Sequence, residues 1–283
     1  MSVATVAARL RAATVALGEA PEGAAARLDA ELLMAFALGV DRSDLLLRHM
    51  GDPAPDAFEA LLRRRLAHEP VAYILGTASF HGLDLAVTPD VLIPRGDSET
   101  LIEAARQALA ARPPARVLDC GTGSGALLLA ALAIFPQAQG LGIDRSPAAL
   151  AVAKGNAART GLADRARWLE RDWDVAGWHA DLGRFDLILA NPPYVEDEAV
   201  LDASVRDHEP HGALFAGPEG LDAYRALVPQ LPALLAPQGI ALVEIGFRQA
   251  GAVSAIAGET GLAAILHRDL AGRPRAIELS VIK

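Results

Sequence analysis

The sequence predicts an α/β fold, with a largely parallel sheet covered by helices on both faces. A β-hairpin and an all-helical N-terminal part precede it. Three observations predict this. Residues 3–68 carry apolar positions at helical spacing alone. Residues 71–93 change to β-formers with turn signals. From Arg116 onward, seven short apolar runs alternate with helical stretches, as parallel strands joined by crossover helices do.

The helical part reads as "VAARLRAATVAL", "ARLDAELLMAFAL", "SDLLLRHM" and "DAFEALLRRRLA", punctuated by Gly18, Gly39 and "GDPAP". The last of these helices should begin near Asp56 and end before Pro70. Arg63, Arg64 and Arg65 form its basic end. They are either a solvated face favoured by the helix dipole or a contact surface for a partner. In "VAYILGTASFHGLDLAVTPDVLI", Gly76 and His81-Gly82 mark turns, so a β-hairpin should join two domains. "PRGDSETLIEAARQALAA" then starts a helix, with Asp97 or Ser98 as N-cap and Glu99 in the first turn. The strand candidates that follow are "ARVLDC", "GLGID", "ARWLE", "DLILA", "IALVEIG", "AAILH" and "AIELSVI". A loop, "RDLAGRPR", joins the last two, so the final strand should be antiparallel.

A chain of 283 residues can build one large or two modest domains. The net charge of −9 argues against a broad basic footprint for duplex nucleic acid. Cys120 is the lone cysteine, which leaves no intramolecular disulfide and fits a reducing cytoplasm. It reads as a small apolar residue, since no partner base is apparent. The N-terminus lacks a signal-peptide layout. No apolar run approaches the roughly 20 residues that span a bilayer.

The chemistry begins at "RVLDCGTGSGALLLAALA", which is a strand, a glycine loop and a helix. Gly121, Gly123 and Gly125 let the backbone turn sharply and approach a ligand. The next strand ends in Asp144, where an acid can accept from two ribose hydroxyls. Loop plus acid imply a nucleoside cofactor. The dinucleotide fingerprint is G-x-G-x-x-G, whereas the spacing here is G-x-G-x-G with Asp119 just before it. A carboxylate is poorly placed beside a pyrophosphate and well placed beside the ammonium of a methionine moiety. S-adenosylmethionine has that ammonium and no phosphates; a nicotinamide cofactor, or a plain glycine turn, is the alternative. In "ERDWD", Trp173 could pack on the adenine face or simply cover the core, and Asp172 could accept from the exocyclic amine.

The fourth strand of the sheet runs into Asn191-Pro192-Pro193-Tyr194. An amide or aromatic amine is a poor nucleophile because its lone pair is delocalised. A methyltransferase site must hold the NH2 so that this lone pair faces the methyl group, in a dry and positioned setting. The Asn191 side-chain oxygen and the Pro192 carbonyl supply two acceptors. Pro192 and Pro193 stiffen the loop and lack competing N–H donors. The Tyr194 ring can stack on a planar amide or base. The motif alone does not choose between a glutamine amide and adenine N6.

Together these blocks resemble the HemK/PrmC protein-(glutamine-N5) methyltransferases, which modify the Gly-Gly-Gln loop of class I peptide chain release factors. The likeness covers nearly the whole chain through "EPVAYILGTASFHGLDLAVTPDVLIPRGDSETLIE", "DCGTGSG", "GIDRSPAALAVAKGNA", "RDWD", "DLILANPPYV", "HEPHGALFAGPEGLDAYR" and "RDLAGRPR". One departure is Gly96-Asp97-Ser98-Glu99, where the family has a second proline and an acid-Thr-Glu run. The resemblance implies a seven-stranded, Rossmann-like class I methyltransferase sheet. It also implies a helical, release-factor-binding domain at 1–70, a β-hairpin linker at 71–93 and a methyltransferase domain at 94–283. S-adenosylmethionine would be bound by Gly121, Thr122, Gly123, Ser124, Gly125, Asp144, Trp173 and Asn191. The glutamine amide would be held by Asn191, Pro192, Pro193 and Tyr194, with no metal. The alternative substrates are a glutamine of a large-subunit ribosomal protein and adenine N6 of nucleic acid.

Overall fold

The computed structural model describes residues 4–18 and 25–282. Parts of the predicted helical stretch, residues 3 and 19–24, lie outside the described residues. Two compact units emerge: Met1–Thr77 with Val200–His208, and Ala78–Ala199 with Glu209–Lys283. Compactness thus puts the boundary inside the first hairpin strand.

In the smaller unit, helices Val6–Gly18, Ala26–Leu38 and Ala57–Leu66 bury Leu10, Leu33, Met34 and Phe58 in one cluster. Glu31 is buried among them, and Arg27 Nε and Arg42 Nε donate to its carboxylate at 2.8 and 2.7 Å. Those charged bonds offset the cost of burying it. "SDLLLRHM" is not one α-helix: Arg42–Asp44 is α-helical and Leu45–His49 is π-helical. Asp56 precedes the helix Ala57–Leu66 as predicted but makes no capping bond. Arg64 Nε donates to Glu69 at 2.7 Å and Arg65 Nε to Asp29 at 2.8 Å. Two of the three arginines offered as a contact surface are therefore engaged within their own unit. Val71–Leu75 is helical, against the β-formers of its sequence, because Val71, Ile74 and Leu75 pack on the helical cluster.

The hairpin follows, as β1 (Thr77–Phe80) and β2 (Leu83–Ala86). His81 and Gly82 both have positive φ, 47° and 77°, which suits a tight hairpin turn. The remaining strands are β3 (Arg116–Cys120), β4 (Gln139–Asp144), β5 (Ala166–Glu170), β6 (Phe185–Ala190), β7 (Leu235–Glu244), β8 (Leu262–Arg268) and β9 (Pro274–Val281). They form one seven-stranded sheet in the order β5-β4-β3-β6-β7-β9-β8. Pairing is parallel from β5 to β7, and β9 is antiparallel to both β7 and β8. The predicted antiparallel last strand is therefore correct.

Alternate residues of each strand enter opposite cores. Val117, Leu187, Leu189 and Leu242 pack with helices Glu99–Ala108 and Ala126–Ile134. Leu118, Ile188, Ala241 and Val243 pack on the other face with helices Asp222–Leu227 and Ala250–Glu259. The predicted cap of Glu99–Ala108 is not made: Ser98 forms no capping bond, and Asp97 pairs instead with Arg275 at 2.8 Å. Among the described residues no helix is long and apolar enough to cross a membrane.

Asn156 ties the hairpin to the region that follows β3. It lies fully buried in the helix Pro147–Arg159. Its Oδ1 accepts from Ala86 N at 2.7 Å, and its Nδ2 donates to the Ala86 and Ser124 carbonyls at 2.9 Å each. Removing this amide strands three backbone groups. Asn156→Ala should therefore cost about 2–4 kcal/mol. Urea unfolding of the variant measures this, and an unchanged midpoint would contradict the role given to Asn156.

Candidate active site

The parallel strands end along one edge of the sheet, and the chain reverses its direction of travel across the sheet between β3 and β6. Ligands of open α/β sheets bind at such a switch point. Cys120 is paired with Ala190, so Gly121 and Asn191 leave their strands side by side.

The glycine loop is held by β4. Gly121 N and Thr122 N both donate to the Ile143 carbonyl at 2.9 Å. Gly123 N donates to Asp144 Oδ2 at 2.9 Å, and Gly125 N to the Thr122 carbonyl at 2.8 Å. The other Asp144 oxygen accepts from Ser146 N at 2.9 Å. Gly121 has φ +73°, and a Cβ there would sit 3.0 Å from the Trp173 ring. Trp173 thus lies across the loop, and only glycine leaves it that space.

A cavity of about 460 Å³ opens beside this loop. Gly121, Thr122, Gly123, Ser124, Asp144, Trp173, Asn191 and Pro193 of the predicted site residues line it, as does Asp172. Gly125, Pro192 and Tyr194 do not. Gly125 serves as the left-handed turn into the helix Ala126–Ile134. Asp119, expected beside the cofactor's ammonium, does not line the cavity either. It is buried beneath the loop, where its Oδ2 accepts from Thr122 Oγ1 at 2.6 Å and its Oδ1 has no partner. Burial pushes its pKa up to about 7. Cys120 is buried as a small apolar residue, and burial pushes its thiol up.

Tyr194 is half-buried and stands outside the cavity lining. Its ring packs against the core on the β3–β7 face that holds Leu118 and Ile188. Its hydroxyl lies 3.5 Å from Glu244 Oε1, at the end of β7. Burial, with the neighbouring Glu244 charge, raises the phenol to about 12. Glu244 is itself buried, which raises its carboxyl to about 7, while Ser98 and Arg275 act in the opposite direction. Ser98 faces this carboxylate without hydrogen-bond geometry: Ser98 Oγ and Glu244 Oε2 are both buried with no hydrogen-bond partner.

Arg95 and Glu209 form a second connection, with Glu209 buried and Arg95 partly exposed. Glu209 accepts from Arg95 Nη2 and, at 3.2 Å, from Ile93 N. The pair joins the stretch before the helix Glu99–Ala108 to the "HEPHGALF" segment, and Arg95 and Pro210 line the cavity. Neither Glu244 nor Glu209 was singled out in the sequence. The available signal for Glu244 is a carboxylate closing the apolar run "IALV" at the same strand edge as Asp144 and Asn191.

Residues 9–76 match the PrmC N-terminal domain family, and residues 112–244 match a methyltransferase domain family. The release factor glutamine methyltransferase of Bradyrhizobium diazoefficiens is 42% identical over 287 residues, spanning 96% of this chain and 91% of its own. The one from Cereibacter sphaeroides is 45% identical over 275 residues, spanning 95% of each chain. The chain belongs to the release factor glutamine methyltransferase family. Among solved structures, the hMettl16 catalytic domain in complex with the MAT2A 3'UTR hairpin 6 shares the fold. It is 15% identical with a TM-score of 0.56, over 72% of this chain and 77% of that one.

As a member of this family, the enzyme takes its methyl group from S-adenosylmethionine. The loop geometry fits that cofactor. A pyrophosphate needs free loop amides at a helix N-terminus. Here the amides of Gly121, Thr122, Gly123 and Gly125 are already given to protein acceptors. The Asp144 carboxylate has capacity left for ribose hydroxyls, since each oxygen takes one backbone amide.

The raised carboxyls make stability depend on pH. Between the ordinary carboxylate range and about 7, the folded enzyme keeps protons on Asp119 and Glu244 that the unfolded chain has lost. Their contribution is fully present at low pH and is lost as pH rises through about 7. Each pKa unit is worth about 1.4 kcal/mol. Glu244→Gln should flatten the decline in unfolding free energy between pH 5 and pH 8. Denaturant titrations at these pH values test it, and an identical slope in wild type and variant would refute it.

Proposed function

We propose that this enzyme transfers a methyl group to the side-chain amide nitrogen, N5, of the glutamine in the Gly-Gly-Gln motif of class I release factors. The observation that carries the reading is that Asn191 and Pro193 share one cavity with Gly121–Ser124 and Asp144. When bound, S-adenosylmethionine supplies a methyl group on a positively charged sulfur, open to in-line displacement. Asp144 would hold the ribose, Trp173 would cover the adenine, and Asp172 would accept from its amine. Asn191 Oδ1 and the Pro192 carbonyl would accept the two amide N–H groups and turn the nitrogen lone pair toward the methyl carbon. The N–C bond would form as the S–C bond breaks, leaving neutral S-adenosylhomocysteine, and one amide proton would pass to solvent. The two prolines offer no N–H to compete. Tyr194 anchors the loop through its hydroxyl, and the accessible part of its ring is the surface for stacking on the amide. Glycine neighbours let the substrate loop thread a narrow site.

The helical domain within 1–70 is assigned to binding the release factor, and the hairpin region 71–93 to linking it to the catalytic part. The net charge of −9 supports a protein substrate over duplex nucleic acid. The reaction belongs in the cytoplasm, where release factors act.

A labelled-cofactor assay tests the reading. Label should appear on the release factor, map to the Gly-Gly-Gln glutamine by mass spectrometry, and vanish when that glutamine is changed. Added duplex DNA should neither compete nor become labelled. Label on adenine, with none on the release factor, would overturn the proposal. Asn191→Ala should lose about 2–4 kcal/mol of transition-state stabilisation while S-adenosylhomocysteine still binds. Asp144→Ala should act on the other side, weakening S-adenosylhomocysteine about tenfold to a hundredfold by calorimetry.

A further inference from the structure

Behind the Asn191–Tyr194 loop stands a side chain that neither lines the cavity nor belongs to the cofactor cradle. Gln249 lies just before the helix Ala250–Glu259. Its Nε2 donates to the Tyr194 carbonyl and to the Gly220 carbonyl, both at 3.0 Å. Its Oε1 accepts from Gly246 N at 2.9 Å, with the Tyr224 hydroxyl 3.4 Å away. Both donors of the amide and one acceptor site are used, and these partners leave one orientation for it. The Tyr224 hydroxyl donates to the Glu244 carbonyl at 2.9 Å, which fixes that ring.

The backbone is fitted closely around this amide. Gly220 has φ +66°, and a Cβ on it would fall 2.3 Å from the Tyr194 carbonyl oxygen and 2.8 Å from Gln249 Nε2. Gly220 opens the segment whose Asp222 and Ala223 form part of the cavity wall. One amide therefore joins three chain segments: the site loop, the opposite wall and the end of β7. Further along the loop the next tethers are Val195 N to the Leu214 carbonyl, at 2.8 Å, and Asp197 N to the Gly217 carbonyl, at 3.1 Å. Val195 N belongs to the same peptide group as the Tyr194 carbonyl, so Leu214 holds one side of that peptide and Gln249 the other.

We propose that Gln249 is a positioning residue: by holding the Tyr194 carbonyl against Gly220, it sets the depth and angle at which Asn191 and the Pro192 carbonyl face the methyl donor. The inference rests on the reading of that loop as the holder of the acceptor amide. Gln249 touches neither substrate nor cofactor and acts only through the backbone of Tyr194. Misplacing the acceptors by a fraction of an ångström leaves the ribose and adenine contacts in place and lowers turnover.

Two variants and one spectroscopic probe test this. Gln249→Met keeps length and removes every hydrogen bond. Gln249→Glu keeps the acceptor and loses both donors when ionised, but regains one donor when protonated. With release factor as substrate, Gln249→Met should lower kcat about tenfold to a hundredfold. S-adenosylhomocysteine affinity should stay within about twofold by calorimetry, which also reports that the variant is folded. The defect of Gln249→Glu should shrink as pH is lowered from 8 to 6, and that of Gln249→Met should not. The chain has three tyrosines, so 3-fluorotyrosine labelling gives three fluorine signals. The signal assigned to Tyr194 by its loss in Tyr194→Phe should shift in both Gln249 variants, with no substrate present.

Wild-type kcat in Gln249→Met with cofactor binding intact would overturn the inference. So would an unmoved Tyr194 signal, or a loss of turnover matched by an equal loss of S-adenosylhomocysteine binding in both variants. A wild-type enzyme that leaves the release factor unmethylated would instead defeat the substrate reading, and the fluorine signal would still decide the role of Gln249.

Discussion

The carbonyl of Ile143 and the carboxylate of Asp144 act on the glycine loop as a continuation of β4. The β3–β4 ladder ends at Cys120 and Ile143, but donation continues from Gly121, Thr122 and Gly123. That continuation bends the loop across the sheet edge and fixes the left-handed Gly121. It also makes room for Trp173 and brings Thr122 over Asp119. The same amides would otherwise be open to phosphate. Cofactor class and loop shape are thus two results of one set of backbone bonds.

Polar groups at the ends of the strands meet two different fates. Asp144 stays partly exposed and keeps its carboxylate bonded by two amides. Asp119 and Glu244 are buried one layer back, with one oxygen each unpartnered. Such groups are costly to bury and persist where the surrounding structure over-determines them. Both stand directly behind a site loop: Asp119 under the glycine loop through Thr122, and Glu244 under the Asn191 loop through Tyr194.

The legible part of the molecule is local. The five parallel strands, the antiparallel β9 and the hairpin turn at His81-Gly82 each follow from a short run and its neighbours. So do Asp144, Asn191 and the glycine loop, because each sits where an apolar run stops. The reading fails where distant packing decides. Val71–Leu75 has a strand-like composition but coils against the helical cluster. β7 begins at Leu235, ahead of the apolar run from Ile240, because Leu235 pairs with Phe185. Asp97 leaves its capping post for Arg275. Tyr194 sets its hydroxyl beside Glu244, 50 residues away, a contact its place after the two prolines does not announce. Glu209 and Gln249 find their partners 114 and 55 residues away, and no spacing rule reports such pairs.

Asn156 spends one arm of its amide on Ser124 and the rest on Ala86, so the hairpin and the cofactor loop share a single anchor. Local opening follows such shared anchors, since segments joined by one buried group come apart together. Strand β2 and Ser124 are both bonded to the same amide of the helix Pro147–Arg159. One buried side chain thus couples the end of the hairpin to the floor of the cofactor loop.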